Sequence, residues 1–570
     1  MYKNGITVCF FICLCCHAIA QTEKFTSGKY EELTDTKPHD GDEKWSQQPK
    51  TQLSWGSIDV RYAKRNVPET GKSSRLSLKA WKGERVNAQA VLWTKTDLSQ
   101  ATVSVSSLVC GTSVIPAESV KTNFVRYVMT DGFGSKAKLD SSLVADVLDT
   151  VKFIDVKART VQPVWVNVWT PSDIKAGKYS GKLTVSGKNF APMTLNLEIE
   201  VINRTLPPPK DWSFHLDLWQ NPYSVARYNQ VPLWSDAHFD AMRPVMKILA
   251  NAGQKVITTT IVRKPWNGQT EDHFDAMIGK IKKIDGSWSY DYTVFDRWVE
   301  FMYSVGIDRQ INCYTLLPWA LNFDYYDQAT GQILYTKAEP GSVPYNEYWG
   351  NFIADFAKHL RQKGWFEKTV IAMDERSLET MREAIRLIKS TEPDFKISLA
   401  GNYFSEIGKD IYDLCLAFGR EFTADVKASR QNAGQKSTVY TCCVEALPNT
   451  FTFSPPAEAA WIGLHAMAKN YDGYLRWAYN SWTADPLRDS RFRTWPAGDC
   501  YLVYPGRSSI RMERLVEGIQ DYEKCRILKN ENNQKQNARL NLLLNQFTAD
   551  ELAKQGAGKM IENIRKVLNE

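Results

Sequence analysis

The chain changes rhythm at a run of three prolines. From about residue 53 to 205, apolar and polar positions alternate with a period of two. Val86, Ala88, Ala90 and Leu92 interleave with Asn87, Gln89 and Val91, and Val164, Val166 and Val168 with Trp165, Asn167 and Trp169; Leu183 and Val185, then Leu195, Leu197 and Ile199, continue the pattern. Side chains two apart share one face of a strand, so successive strands without a helical period between them predict a β-sandwich over 51–206. Pro207-Pro208-Pro209 suits neither a helix interior nor a central strand, and marks a boundary. Beyond it, strand-like runs at 212–218, 255–261, 309–315, 369–373, 396–400, 413–417, 437–442 and 473–477 alternate with helical periods at 236–251, 293–305, 346–363, 376–390, 421–432 and 456–469. Eight runs separated by helices predict a (β/α)8 TIM-type barrel over 210–505. Ile510, Leu515, Ile519 and later leucines at helical spacing predict a C-terminal helical segment over 506–570. The expected fold class is therefore multidomain, β followed by α/β.

The first residues read differently. Lys3, the apolar stretch Ile6 to Cys16 and the small-x-small site Ala18-Ile19-Ala20 before Gln21 predict a signal peptide over 1–20. The expected destination is the periplasm, the cell surface or the medium. That apolar stretch is short for a bilayer, and no later one is long enough, so no transmembrane segment is expected. Residues 21–50 are polar and charged, and predict a flexible leader. Seven of the eleven cysteines lie beyond the signal, too few and odd in number for a disulfide framework. Adjacent Cys442 and Cys443 read as two small buried hydrophobes, since a bridge between neighbours is strained. The net charge of +7 is spread along the chain without a basic stripe, which argues against a nucleic-acid partner.

The candidate chemistry lies at Met373-Asp374-Glu375-Arg376, where two carboxylates close the apolar run Thr369–Ala372. Either Asp374 caps the following helix, or the pair is catalytic. Neighbouring carboxyls disfavour each other's ionisation, so one can hold a proton while the other is charged. In a barrel, the pair falls at the C-terminal end of the fourth strand, the face where such folds place their chemistry. Other strand ends offer groups suited to a sugar: Trp219-Gln220-Asn221, Pro318-Trp319, Asn402-Tyr403 and Trp477-Ala478-Tyr479-Asn480-Ser481-Trp482. Indole rings stack on pyranose faces, and amides bond hydroxyls. The expected substrate contacts are Trp477, Asn480, Tyr403, Trp319, Trp219, Asn402 and Trp482, with Tyr440 helping to hold an acetamido oxygen. His215, His238, His273, His359 and His465 stand singly, and neither a nucleophile elbow nor a phosphate-binding loop occurs. No metal or other cofactor is expected.

Three stretches carry a family resemblance: Ala176-Gly177-Lys178-Tyr179-Ser180-Gly181; Asp374-Glu375; and a block from Trp477 through Trp495-Pro496-Ala497-Gly498-Asp499, Tyr504-Pro505-Gly506 and Ile510-Arg511 to Glu517–Glu523. Over roughly residues 50–530 the chain resembles glycoside hydrolase family 123, the retaining β-N-acetylgalactosaminidases. The third block is also similar to a domain found in many bacterial proteins of unassigned function. The resemblance implies exo-acting hydrolysis of a glycan with a terminal β-linked N-acetylhexosamine. It further implies that Glu375 serves as general acid/base and Asp374 as partner of the substrate's acetamido group, through an oxazoline-type intermediate. Two rival readings stand beside it: a hydrolase of another sugar on the same scaffold, and a secreted glycan-binding protein without catalysis.

Overall fold

The computed structural model describes residues 31–134, 140–531 and 533–570. The signal peptide read at 1–20 and the start of the leader lie outside the described residues. The described residues divide into two units, one formed by 31–129 with 142–204, the other by 130–134 and 140–141 with 205–531 and 533–570.

The first unit has two sheets. One orders its strands Thr51–Gly56, Arg85–Thr94, Thr160–Trp169, Val120–Thr130 and Ser142–Asp149; the other runs Arg75–Lys82, Met193–Thr205, Gly177–Ser186, Leu98–Val105 and Ile154–Val156. The alternating positions meet in one core, where Ala88, Ala90, Leu92, Val164, Val166 and Val168 pack with Leu183, Val185, Leu195, Leu197 and Ile199. The opposite face of strand Thr160–Trp169 is buried as well, and the Trp165 indole donates to Asn87 at 3.2 Å. The expected leader is partly ordered. A short helix, Asp42–Ser46, buries Trp45 (1% exposed) against Tyr62, Val91, Trp93 and Val161, and its indole donates to the Arg65 carbonyl at 3.1 Å. One large aromatic ring offsets the entropy of ordering an otherwise polar stretch.

The second unit is built on eight parallel strands: β1 (His215–Leu218), β2 (Val256–Thr260), β3 (Gln310–Tyr314), β4 (Thr369–Met373), β5 (Lys396–Ala400), β6 (Asp413–Ala417), β7 (Lys436–Tyr440) and β8 (Gly473–Arg476). Each pairs with its neighbour in sequence, β8 pairs with β1, and a parallel bridge from Leu216 to Gln254 links β1 to the start of β2. The result is an eight-stranded near-barrel. Helices follow as α1 (Pro222–Asn229), α2 (Asp236–Ala250), α3 (Thr293–Val305), α4 (Val343–Lys363), α5 (Leu378–Thr391), α6 (Ala424–Asn432), α7 (Pro456–Ala468) and α8 (Ile510–Asn530). Among the described residues no helix separates β5 from β6, as the absence of a helical period between 400 and 413 implied. Two excursions not foreseen from periodicity, Gly279–Asp291 and Asn322–Lys337, pair into a four-stranded sheet.

Two boundaries differ from expectation. Residues 130–134 leave the first unit: Asp131 accepts the Ala497 amide at 2.9 Å, and Thr130 bonds Thr452 at 2.8 Å. The boundary at 506 cuts off α8, which packs on α7 through facing glycines. A Cβ added to Gly463 would stand 2.2 Å from the Gly518 carbonyl oxygen, so the helices approach closer than any side chain permits. Gly463→Ala is therefore expected to destabilise the protein by about 1–3 kcal/mol in urea unfolding, the usual range for overpacking. An unchanged midpoint would contradict this packing.

Inside the strands runs a buried polar layer. His215 on β1 bonds Asp413 on β6 at 3.0 Å, Gln310 on β3 donates to Asp413 and to Asn312 at 2.8 Å each, and Asn312 reaches Asp217 at 3.3 Å. Burial first, and then the nearby Asp413 charge, push Asp217 up to about 7.

Candidate active site

β4 lies between β3 and β5, in register through Ile311–Thr369 and Met373–Leu399. After Met373 the chain leaves the sheet, and α5 does not begin until Leu378. Its cap is Ser377, whose hydroxyl accepts the Thr380 amide at 3.3 Å, so Asp374 is not the helix cap. The two acids stand free of both elements at the strand's C-terminal end.

They stand in different surroundings. Asp374 is 6% exposed, and Trp319 donates its indole N–H to Oδ2 at 2.8 Å. The other oxygen, Oδ1, is buried and takes no hydrogen bond among the described residues. Burial pushes the Asp374 carboxyl up to about 6, against the pull of the Trp319 bond and of the Arg376 charge. Glu375 is exposed, and Tyr440 at the end of β7 donates its hydroxyl to Oε1. Burial and the Glu375 carboxylate raise the Tyr440 phenol, which stays a donor at any working pH. Of the adjacent acids, one is thus sunk with a vacant acceptor, and the other is exposed and held by one oxygen.

Below them lies an aromatic layer. Trp219 stacks on Trp266 at 4.9 Å and meets Tyr314 at 4.4 Å, and the cluster includes Ala372, Ala400, Tyr440 and Leu475, with Trp477 at its edge. Trp319, at 38% exposure, and the half-buried Trp477 present indole surface, as does the partly buried Trp234 at the cluster's edge. Trp477 is oriented by Asp499, which accepts its N–H at 3.1 Å while binding buried Arg476 at 2.6 Å.

The structure brings Asp374, Glu375, Trp319 and Tyr440 together, but corrects other expected sugar contacts. Asn480 is fully buried, and its amide is taken by the Asn221 backbone, accepting at 2.9 Å and donating at 2.8 Å. It fixes the start of α1. Trp482 is buried with its N–H on the Val503 carbonyl at 2.8 Å. Trp219, at 4% exposure, supports the layer and offers a sugar no open face. Tyr440, expected to help hold an acetamido oxygen, donates its hydroxyl to Glu375. Tyr403 packs edge-on against Phe422 at 5.7 Å and over Gly408. Asn402 is exposed on the loop from Gly401, where a Cβ would stand 3.6 Å from Glu375, so this loop passes beside the acid. Sequence reasoning missed Trp266, Tyr314, Arg476 and Asp499. Tyr314 and Arg476 end their strands, a signal that was available; Trp266 sits in a loop whose approach to the barrel axis had none. Among the described residues no three metal-ligating side chains cluster.

Two acids at the mouth of a parallel eight-stranded near-barrel, flanked by open tryptophans, define a carbohydrate hydrolase. The chain belongs to glycoside hydrolase family 123: the model of that family's catalytic domain matches residues 219–528, and the model of its N-terminal domain matches 55–187. Among solved structures, a family 123 glycoside hydrolase from Clostridium perfringens, studied for glycolipid glycan hydrolysis, is similar with a TM-score of 0.82 and 25% identity, over 91% of this chain and 97% of that one. A family 39 glycoside hydrolase from Bacteroides cellulosilyticus is a much weaker likeness, with a TM-score of 0.35 and 9% identity over 78% of this chain and 81% of that one. No curated protein matches the sequence.

Proposed function

We propose that this glycoside hydrolase is a retaining, exo-acting β-N-acetylgalactosaminidase in which the substrate supplies its own nucleophile. The observation that carries this reading is Asp374 Oδ1, a buried carboxylate oxygen with no donor among the described residues, beside an Oδ2 fixed by Trp319. Such an oxygen suits the N–H of a 2-acetamido group. Two side chains from successive positions on one strand end cannot easily straddle a glycosidic bond, as a carboxylate nucleophile and its acid partner must. They can serve a reaction in which the acetamido carbonyl oxygen attacks C1 as the bond from C1 to the leaving oxygen breaks.

Positive charge then develops on the acetamido nitrogen, and the N–H···Oδ1 bond to Asp374 strengthens with it. Glu375, with Oε1 held by Tyr440, gives the proton on its free oxygen to the leaving group. The same carboxylate next takes a proton from water, which attacks C1 and reopens the oxazoline ring. Two displacements at C1 retain the β configuration. Because the similar Clostridium perfringens enzyme hydrolyses glycolipid glycans, the terminal sugar of such a glycan is the proposed substrate. The predicted signal peptide would place the reaction outside the cytoplasm.

A panel of nitrophenyl glycosides tests this. Release is expected from the β-N-acetylgalactosaminide, slower release from the N-acetylglucosaminide, and none from the galactoside. A thiazoline analogue of N-acetylgalactosamine should bind in calorimetry. Hydrolysis of sugars that lack an acetamido group would favour the rival hydrolase, and binding of glycan without turnover the rival binding protein.

A further inference from the structure

β7 ends at Tyr440, and the next residues, Thr441-Cys442-Cys443-Val444, leave the sheet and bend. Successive side chains of a strand point to opposite faces, so neighbouring thiols meet only where the strand has ended. Here they meet. The Cys442 thiol donates to Cys443, which holds the Cys443 thiol below its usual range and pushes that of Cys442 up. Expected to be buried, both are partly exposed, while Cys313, Cys415, Cys500 and Cys525 are sealed in the interior. The pair thus combines access with a partner thiol.

The peptide that joins them is tied to the candidate site. The Cys442 carbonyl accepts the Asn449 side-chain amide at 2.7 Å, and Asn449 Oδ1 accepts from Arg476 at 2.9 Å. Arg476 binds Asp499, which holds the Trp477 N–H, and Cys442 itself packs against the aromatic layer. Two residues back, Tyr440 holds Glu375. Neighbouring Cα atoms are about 3.8 Å apart, closer than the ~4.4–6.8 Å of ordinary disulfides, so a bridge must turn that peptide. Turning it withdraws the carbonyl from Asn449 and shifts the supports of Trp477 and Glu375. Strain of this kind also makes a disulfide easy to reduce.

We propose that Cys442 and Cys443 are a redox site, closing to a disulfide that slows hydrolysis and reopening on reduction. The oxidant is a small-molecule disulfide. The Cys443 thiolate attacks one of its sulfurs, expelling a thiolate and leaving a mixed disulfide. The Cys442 thiol then loses its proton, its sulfur attacks Cys443 Sγ, and the second thiolate departs. One S–S bond forms as another is reduced, and both cysteine protons pass to the released thiols. The predicted export would expose the pair to such oxidants.

The test incubates the full enzyme with oxidised glutathione and digests it for mass spectrometry. The peptide holding both cysteines is expected to lose two hydrogens, and a thiol reductant to restore them. Turnover is read on whichever nitrophenyl glycoside the enzyme cleaves fastest. It should fall about 10–100-fold, the scale of a small misplacement of reacting groups, and recover with the reductant. Cys443→Ser should fold, since the residue is partly exposed, and keep its activity through the same treatment. Unmodified thiols or a lasting glutathione adduct would overturn the bridge, and a bridge without loss of turnover its link to the site. Because any cleaved sugar serves as the readout, cleavage of one without an acetamido group would refute the proposed function and leave the redox site standing.

Discussion

Glu375→Gln is expected to lower kcat on an unactivated glycoside by about 10²–10⁴-fold, the range for losing a general acid. The loss should depend on the leaving group. A dinitrophenolate departs without protonation, so the first step survives with such a substrate while the second, which needs the base, is slowed. A rapid burst of dinitrophenolate followed by slow turnover is the expected trace, with KM lowered because the intermediate accumulates. Tyr440 fixes Oε1, and glutamine can keep that bond, so the variant should fold as wild type does. A loss of the same size for every leaving group, without a burst, would mean that Glu375 moves no proton.

Asp374→Asn carries the second large effect, and it runs in opposite directions for activity and stability. The amide can still accept the Trp319 N–H through one atom, but it brings no negative charge to the acetamido nitrogen. Losing that charge-assisted bond in the transition state is expected to reduce kcat/KM by about 10²–10³-fold and to weaken binding of the thiazoline analogue. In the wild type, activity should rise through about pH 6 as this carboxyl ionises.

For stability the sign is the reverse. The folded-state pKa of about 6 lies above the unfolded value, so the native protein keeps a proton that the unfolded chain has released. Stability is therefore lost as pH rises from ~4 to ~6, by about 2–3 kcal/mol in full. Asparagine removes that penalty. The variant's urea midpoint should exceed that of wild type at pH 7.5, and the difference should close near pH 4. A less stable variant at pH 7.5 would show that the carboxylate is better compensated than its burial implies.

The elements that were legible in the sequence are those whose side chains repeat a spatial period. Thr369–Met373, Lys396–Ala400 and Asp413–Ala417 appear in the fold with the same limits as their apolar runs, because strands buried on both faces read as unbroken hydrophobic stretches. The four-stranded excursion was not legible: Asn322–Asp327 mixes tyrosine with aspartate, Gln332–Lys337 mixes apolar residues with glutamine, threonine and lysine, and both stay partly exposed. Trp45 shows the limit of composition, since one ring in a polar stretch was enough to order it. At the site, adjacency marked the two acids, but sequence could not distinguish an exposed tryptophan from a sealed one. Trp319 and Trp482 both follow strand ends, and only packing separates the first, which stays partly exposed beside Asp374, from the second, which is enclosed. Asn480 fails for the same reason: an amide able to bond a hydroxyl can equally bond a backbone turn.

The polar layer within the strands has a further consequence. It ties β1, β3 and β6, which are not neighbours, through side chains whose charges cannot be left bare in the interior. A slip of one residue would turn Asp217 on β1, Gln310 and Asn312 on β3, or Asp413 on β6 towards the greasy outer shell, so alternative alignments are heavily penalised. The interior lattice thereby sets the height at which each strand emerges, including the one that bears the acids. Loops around the rim could then be exchanged, by selection or by engineering, to accept other glycans without disturbing where the reacting groups stand.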